Sequence, residues 1–288
     1  MIRLLILGLS LCASSWLSAQ QPSCCTPARQ SDANAHAAFA ELGNDPTFRG
    51  QHALPQPFEL HDARWRRIAY ATPDGDSAHA WLLPAATESD DYLFLFHEWW
   101  GLNDYVKAEA TTYHDTLGGQ VNMLCLDLYD GQVADSREEA RTYMQSVTQE
   151  RAEGIIRGAV QHVADSAAIA TIGWCFGGGW SLQASLLLGE QAAGCVMYYG
   201  MPVQEVARLR DLTTSVLGIF ARQDGWITPE VVGEFEANMK AANQALRVEM
   251  YDANHAFANP SSPRHDEEAA RKAFRVSAAF LRLAFGLE

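Results

Sequence analysis

Residues 173–179 read Gly-Trp-Cys-Phe-Gly-Gly-Gly and carry the strongest structural signal in this chain. They follow an apolar run at 167–172 that is typical of a buried strand, and they precede a helical pattern at 180–188. Small residues two positions before and after a nucleophile, between a strand and a helix, form the pattern of a nucleophile elbow. In so tight a turn, side chains at Gly173 and Gly177 would collide with neighbouring backbone. The stretch therefore predicts a strand–turn–helix unit that presents its central thiol at the top of a sheet.

That central residue is Cys175. The positive end of the following helix favours the thiolate, which is the reactive form of the side chain. A lone cysteine in an apolar context is more often a structural core residue, but the glycines on both sides favour the nucleophile. The pattern thus indicates a cysteine-dependent enzyme.

Two further residues follow in the order expected for the acid and the base of a catalytic triad. Asp224 lies in a turn just after an apolar run at 216–221, and His255 lies in a loop after a shorter run at 247–251. Alone, Asp224 is typical of a turn and His255 of a loop histidine bonded to a backbone carbonyl. Because each follows its own strand and both follow Cys175 in order, they predict a Cys–His–Asp triad.

A fourth element is the aromatic loop after a predicted strand at 92–96. It contains Glu98, and an unpaired carboxylate among aromatic residues is costly to bury. Glu98 is therefore a candidate acceptor of the thiol proton, although a surface carboxylate is the simpler alternative. In folds that carry a nucleophile elbow, the loop after such a strand supplies one backbone N–H to an oxyanion hole. The residue after the nucleophile, here Phe176, supplies another.

The chain resembles the dienelactone hydrolase family, which are cysteine-dependent α/β-hydrolases, over roughly residues 60–288. The segments that carry the resemblance are the Glu98 loop, Asp127-Leu128-Tyr129 at a strand end, Gly-Trp-Cys-Phe-Gly-Gly, Asp224, and His255-Ala256-Phe257. The resemblance implies a nucleophile at Cys175, a triad completed by Asp224 and His255, and proton acceptance by Glu98. It also implies that the N–H of Trp99 joins that of Phe176 in the oxyanion hole.

Two positions depart from the family pattern. The resemblance implies that family enzymes that open dienelactones hold the substrate carboxylate with two arginines, but here the matching positions are Gly131 and Asn259. Neither residue pairs with a carboxylate as arginine does. Three arginines lie nearby in sequence, and solvated surface charges are the simpler interpretation of all of them: Arg137, Arg141 and Arg264. We therefore expect a neutral substrate.

The composition is that of one α/β domain with a sizeable core. The chain has 288 residues, of which 48% are hydrophobic and 19% charged. Its formal net charge of −14 argues against nucleic acid and anionic membrane surfaces as partners. A small molecule remains as the expected partner, no cofactor is implied, and the oligomeric state is not indicated.

The first residues predict a secretory signal peptide over 1–19. Arg3 precedes an apolar run at 4–17, which is too short for a comfortable membrane span, and a cleavage site is plausible before Gln20. A periplasmic or secreted protein is expected, with retention by an uncleaved helix as the alternative. We assign residues 20–60 to an N-terminal extension packed on the core and residues 61–288 to the hydrolase-like domain.

The extension contains an adjacent cysteine pair, Cys24 and Cys25. In an oxidising compartment a disulfide is the most plausible role for them. No histidine at ligand spacing supports a zinc site, so no metal is predicted. A thiol redox function is disfavoured because the pair lacks the usual two-residue spacing.

The domain alternates strand and helix patterns, which predicts an α/β-hydrolase fold with a mostly parallel sheet and helices on both faces. Strands are predicted at 81–84, 92–96, 123–126, 167–172, 195–199, 216–221 and 247–251. Helices are predicted around 34–42, 105–116, 136–163, 177–188, 229–243 and 266–283.

Several aromatic residues near these motifs predict an apolar pocket. Its expected lining is Trp100, Tyr129, Trp226, Phe257 and Asn259. The predicted function is hydrolysis of a small neutral ester or lactone through an acyl-enzyme. The alternative is a non-catalytic exported protein that binds a small hydrophobic ligand in the same pocket.

Overall fold

One sheet of eight strands organises residues 35–287, the part of the chain that the computed structural model describes. Its order is β1-β2-β4-β3-β5-β6-β7-β8. The strands are β1 Arg66–Ala71, β2 Ser77–Leu83, β3 Asp91–Phe96, β4 Asn122–Leu126, β5 Ala168–Trp174, β6 Ala192–Tyr198, β7 Val216–Ala221 and β8 Leu246–Tyr251. Strands β3 to β8 run parallel, and β2 pairs antiparallel with both β1 and β4. The mostly parallel α/β-hydrolase sheet is thus confirmed.

The connections between these strands are largely helical. The helices are α1 Ala35–Leu42, α2 Pro46–Gln51, α3 Asp104–Thr116, α4 Arg137–Ser146, α5 Gln149–His162, α6 Phe176–Leu188, α7 Val206–Leu209, α8 Pro229–Ala242 and α9 Glu267–Ala284. The predicted signal peptide and the Cys24–Cys25 pair lie outside the described residues. Within residues 35–287, no helix combines the length and the apolar character that a membrane crossing requires.

Helices cover both faces of the sheet, as the side chains of β6 show. The Cys195 sulfur lies 3.6 Å from the hydroxyl of Ser181 in α6. Three positions further on, the Tyr198 hydroxyl bonds Tyr113 of α3 at 3.1 Å and Ser277 of α9 at 2.8 Å. Because strand residues separated by an odd number point to opposite faces, α6 covers one face while α3 and α9 cover the other.

The long helix predicted over 136–163 is two helices. Val147 and Thr148 adopt extended backbone between α4 and α5. The Thr148 side chain accepts a hydrogen bond from the backbone N–H of Arg151 at 3.1 Å, so it caps α5. A capping threonine inside an otherwise helical pattern is the signal that marks this break.

Three helices or strands were not predicted from the sequence, and one of them, α7, has only four residues. Strand β1 is largely exposed, so it lacks the apolar alternation that marks a half-buried strand. Helix α2 has only six residues, with Asp45 as its N-cap and Pro46 in its first turn. Its Phe48 is fully buried, so this short helix is packed firmly onto the core.

Candidate active site

The turn between β5 and α6 places Cys175 at the carboxyl edge of the sheet. Cys175 has φ 56° and ψ −118°, and only 1% of its surface is exposed. A Cβ at Gly173 would lie 2.1 Å from the Gly177 carbonyl oxygen, and a Cβ at Gly177 would lie 2.2 Å from that of Phe96. Both distances are far inside van der Waals contact, so the turn requires glycine at these positions. The collisions expected from the sequence are confirmed.

The loops after β7 and β8 bring Asp224 and His255 to the same edge. His255 Nε2 lies 3.3 Å from Cys175 Sγ, and His255 Nδ1 donates to Asp224 Oδ2 at 2.6 Å. The other Asp224 oxygen accepts the backbone N–H groups of Trp226 at 2.9 Å and Ile227 at 3.0 Å. The carboxylate is therefore held in place from its own loop, and it orients the imidazole toward the thiol.

The electrostatics of His255 follow from this pairing. Burial alone would lower the pKa of His255, but the charges of Asp224 and Cys175, with the hydrogen bonds to both, raise that pKa to about 10. For Asp224, burial would raise the carboxyl pKa, but the charge of His255 and three hydrogen bonds hold it below its ordinary value. The arrangement thus stabilises an imidazolium next to the sulfur.

Glu98 lies in the loop after β3 and shares a cavity with Cys175. One carboxylate oxygen accepts the hydroxyl of Tyr199 at 3.3 Å, and the other accepts the side-chain amide of Asn259. Burial raises the pKa of Glu98 to about 7. The carboxylate is therefore half-ionised near neutral pH, and His255, rather than Glu98, contacts the sulfur.

Two adjoining spaces open beside the nucleophile. The nucleophile cavity has about 280 Å³ and is lined by Gln51, His52, Ala53, Glu98, Trp100, Cys175, Ala256, Asn259, Ser261, Ser262 and Arg264. The aromatic chamber has about 440 Å³ and is lined by Glu98, Trp100, Gly101, Asn103, Tyr105, Val106, Glu109, Trp174, Ala258, Asn259, Pro260 and Ser261. Glu98, Trp100, Asn259 and Ser261 line both, so the two spaces adjoin and belong to one site.

The predicted pocket residues divide into two groups. Trp100 and Asn259 line both spaces. Tyr129, Trp226 and Phe257 line neither, because neighbouring side chains occupy their ring surfaces. The Tyr129 ring lies 5.5 Å from that of Phe176, the Phe257 ring lies 5.5 Å from that of Tyr199, and the Trp226 indole donates to Asp45 at 3.1 Å.

The two proposed oxyanion donors belong to different parts of the chain, the start of α6 and the loop after β3. Phe176 is the first residue of α6, so its N–H belongs to the helix end that has no partner within the helix. Trp99 follows Glu98 in the loop after β3 and is fully buried. The oxyanion role of these two N–H groups stays a prediction.

The N-terminal segment contributes residues that the sequence analysis did not connect to the site. The Phe48 ring of α2 lies 6.2 Å from that of His255, and the His52 ring stacks on Trp99 at 5.0 Å. His52 follows α2 directly and lines the nucleophile cavity. No motif marks these residues, because only packing brings them to the nucleophile.

One group among the described residues has the spacing to hold a metal ion. Its donors are His52, Cys175 and His255, whose ligand atoms lie within 4.8 Å of one another. Imidazole and thiolate are the ligands that zinc and copper prefer. Any metal bound here would occupy the sulfur and the imidazole nitrogen that face each other.

Arg264 differs from the surface charge that we expected. It is half-buried, lines the nucleophile cavity, and donates through Nη1 to the side chain of Gln51. Its Nε is buried and has no hydrogen-bond partner within residues 35–287. The loop after β8 contacts the end of α2 through the bond to Gln51, and Arg264 is therefore part of the cavity lining instead of the outer surface.

A thiol, an imidazole and a carboxylate joined by hydrogen bonds, above a mostly parallel sheet, define an α/β-hydrolase fold with a Cys–His–Asp arrangement. Comparison with known proteins agrees. A profile of the dienelactone hydrolase family matches residues 84–285, which is more than half of the chain. The chain belongs to the dienelactone hydrolase family, which is a family of ester and lactone hydrolases.

The individual relatives share only part of their sequence with this chain. A carboxymethylenebutenolidase from Pseudomonas sp. (strain P51) is 34% identical over 106 residues, which are 36% of this chain and 43% of that protein. The match thus spans less than half the length of that relative. A solved structure of a dienelactone hydrolase-like promiscuous phosphotriesterase from metagenomic libraries is 21% identical with a TM-score of 0.63, over 77% of this chain and 99% of that one. The structural likeness supports the fold.

Proposed function

We propose that this protein hydrolyses small neutral esters or lactones through an acyl-enzyme on Cys175. The observation that carries the proposal is the hydrogen-bonded series from Cys175 through His255 to Asp224, with Sγ–Nε2 and Nδ1–Oδ2 distances of 3.3 and 2.6 Å. A structural cysteine has no need of an oriented histidine, whereas a nucleophile does. The same series argues against the alternative of a non-catalytic binding protein.

Acylation follows from the geometry. The thiol proton passes to His255 Nε2, and the sulfur attacks the ester carbonyl carbon. The negative charge that develops on the carbonyl oxygen is stabilised by the N–H groups of Phe176 and Trp99. The C–O bond then breaks, and His255 returns the proton to the departing alkoxide, so that an alcohol leaves and a thioester remains.

In deacylation His255 acts as a base toward water. Water gives one proton to His255 Nε2 and attacks the thioester carbon. The C–S bond breaks, the acid product forms, and the sulfur again faces the imidazolium. Asp224 stabilises the imidazolium in both half-reactions without leaving its place between the Trp226 and Ile227 N–H groups.

The charges around the site support a neutral substrate. Among the described residues, the aromatic chamber is lined by two carboxylates, Glu98 and Glu109, and by no lysine, arginine or histidine. Burial raises the pKa of each of these carboxyl groups to about 7, so both carry partial negative charge at neutral pH. Asn259 stands where the resemblance places one of the family's two arginines. Its side-chain amide donates to Glu98 and is therefore not available to a substrate carboxylate.

We expect kcat/KM for a neutral ester to exceed that of its analogue with a carboxylate beside the scissile bond. Each arginine that is absent here would have made a charge-assisted hydrogen bond to the substrate carboxylate. The loss of one such bond lowers kcat/KM for the charged analogue by about tenfold or more. The measurement is steady-state hydrolysis of matched ester and lactone pairs by the purified protein. The absence of hydrolysis for every pair would contradict the proposed function itself.

Arg264 provides the matched control for this comparison, because it is the basic side chain on the nucleophile cavity. Substituting Arg264→Gln should leave the preference for neutral substrates unchanged. A wild-type preference for the carboxylate that disappears in this variant would overturn the prediction and identify Arg264 as the anion-binding group.

Glu98 lines the cavity that contains Cys175, and we propose it as a second acceptor of the thiol proton beside His255. Replacing Glu98 with glutamine should slow acylation by about 10²-fold, the lower end of what a general base contributes. The loss is partial because His255 still contacts the sulfur and accepts its proton. With a pKa raised to about 7, Glu98 becomes ionised as the pH rises through 7, so the wild-type acylation rate should rise over the same interval. The glutamine variant should lack that rise, which single-turnover acylation measured against pH detects.

Glu109→Gln is the control, since it changes another carboxyl group of the aromatic chamber with its pKa raised to about 7. That variant should keep the rise through pH 7, because Glu109 does not line the nucleophile cavity. Superimposable pH profiles for wild type and Glu98→Gln would remove Glu98 from proton transfer.

A further inference from the structure

His52 presents a fixed lone pair at the nucleophile. Its Nδ1 lies 2.7 Å from the carbonyl oxygen of Phe48, and since a carbonyl only accepts, Nδ1 must carry the proton. In a neutral imidazole the other nitrogen, Nε2, is then an acceptor. The tautomer of His52 is therefore determined by the turn that ends α2.

The ring has little freedom to move. Only 7% of His52 is exposed, and its imidazole stacks on the indole of Trp99 with ring centres 5.0 Å apart and planes 24° from parallel. Arg137 of α4 donates through Nε to the His52 carbonyl oxygen at 2.5 Å. The ring is thus held from its face, its Nδ1 and its backbone.

The acceptor Nε2 of His52 is buried and has no hydrogen-bond partner among the described residues. Buried polar groups in folded proteins are nearly always paired, and an unpaired one at a reactive centre suggests a partner that arrives during the reaction. That partner must be a donor, because Nε2 can only accept. Water and the thiol proton are the donors that the proposed reaction brings to this place.

The distances favour a water molecule. The ligand atoms of His52, Cys175 and His255 lie within 4.8 Å of one another, so one water oxygen can lie within hydrogen-bond distance of both imidazoles while it contacts the sulfur. The nucleophile cavity that these residues line leaves about 10 Å³ for the centre of a water molecule, and one bound water needs about 10–15 Å³ by that measure, so the cavity has room for a single water. An oxygen in that position would be adjacent to an acyl carbon bound to the sulfur.

We propose that His52 is a further catalytic residue that holds the water which hydrolyses the acyl-enzyme; the inference rests on the proposed function. The water donates one hydrogen to His52 Nε2 and transfers the other proton to His255 Nε2. Its oxygen forms the new C–O bond as the C–S bond breaks, and the electron pair of that bond returns to sulfur. The hydrogen bonded to His52 stays on oxygen and leaves with the acid product.

The two histidines then have different tasks. His255 is paired with the Asp224 carboxylate, which stabilises its protonated form, whereas Nδ1 of His52 is paired only with the neutral carbonyl of Phe48. A group that resists protonation orients the water, whereas a group with a raised pKa takes its proton. This division explains why one buried site contains both rings.

The test separates the two half-reactions of His52→Ala with p-nitrophenyl acetate in buffer that contains a chelator. The burst of nitrophenolate reports acylation, and the following steady state reports deacylation. We expect the acylation rate constant to stay within about threefold of wild type, and that for deacylation to fall by about 10-fold to 100-fold, as for a misplaced reactant. Acetyl-enzyme on the peptide that contains Cys175 should accumulate, as mass spectrometry will show.

Two further variants and one added nucleophile test whether the loss in deacylation comes from the His52 acceptor. His52→Gln keeps an acceptor on a flat side chain and should recover part of the deacylation rate. His61→Ala removes a histidine that lines neither space and whose side chain is 80% exposed, and its deacylation should match wild type. Hydroxylamine, which needs less help from a base than water does, should restore turnover of His52→Ala more than that of wild type.

An equal loss in both half-reactions, or unchanged deacylation, would overturn the role of His52. If His52→Ala is unstable in thermal unfolding, the ratio of the two rates in His52→Gln decides in its place. A wild-type protein without any burst or acetylated Cys175 would instead overturn the proposed acyl-enzyme, so the two failures are distinguishable.

Discussion

Replacing Cys175 with alanine should abolish hydrolysis of every ester that the wild-type protein cleaves, with kcat falling by about 10⁴-fold or more. Removal of the nucleophile leaves only substrate binding and oxyanion stabilisation, which by themselves give a small residual rate. The substituted side chain is smaller and lies at a turn whose geometry is set by Gly173 and Gly177, so the fold should persist. Steady-state hydrolysis and thermal unfolding, measured on the same preparation, check both statements.

Cys125→Ala is the matched control. Cys125 is also a buried free cysteine, but it lies in the middle of the sheet in β4, and burial raises the pKa of its thiol. The control variant should keep wild-type kcat, even if its melting temperature falls slightly. Cys175→Ala with wild-type turnover would eliminate the cysteine mechanism, and an equal loss in both variants would indicate damage to the fold instead.

Replacing Asp224 with asparagine should lower kcat by about 10³–10⁴-fold, which is the size of effect expected when the imidazole is held in the wrong tautomer. Asp224 Oδ2 now accepts the Nδ1 proton of His255 at 2.6 Å, which leaves Nε2 facing the sulfur. An amide NH₂ in that place would donate to Nδ1, so the ring proton would move to Nε2. A protonated Nε2 can no longer accept the thiol proton. The charge that raises the pKa of His255 would also be lost.

The readouts for Asp224→Asn are the burst rate with p-nitrophenyl acetate and the pH dependence of His255 followed by NMR. The imidazolium should persist to about pH 10 in wild type and lose its proton at lower pH in the variant. Asp252→Asn is the control, because Asp252 is exposed in the loop that follows β8. An unchanged burst rate in Asp224→Asn would show that the carboxylate only supports the loop.

The sequence alone identified the triad because parallel strands impose a simple rule. Residues that directly follow such strands meet at one edge of the sheet, so Cys175, Asp224 and His255 could be placed together from order and strand patterns. The elbow was equally visible, since Gly173 and Gly177 stand where a Cβ would meet backbone oxygen. These features depend on local backbone geometry and strand direction, and both leave a signal in a single sequence.

Tertiary packing alone decided which other side chains reach the nucleophile. His52 and Phe48 come from a six-residue helix far from Cys175 in the chain, and burial of Phe48 against the aromatic loop draws His52 to the site. Arg264 became part of the cavity for the same reason, whereas the partners of Glu98 depend on the positions of loops after different strands. Long-range contacts of this kind follow from the shape and volume of the whole core, and no local pattern of residues records them. The sequence thus determined the family, the fold and the candidate reacting groups, and the folded structure determined the environment of those groups.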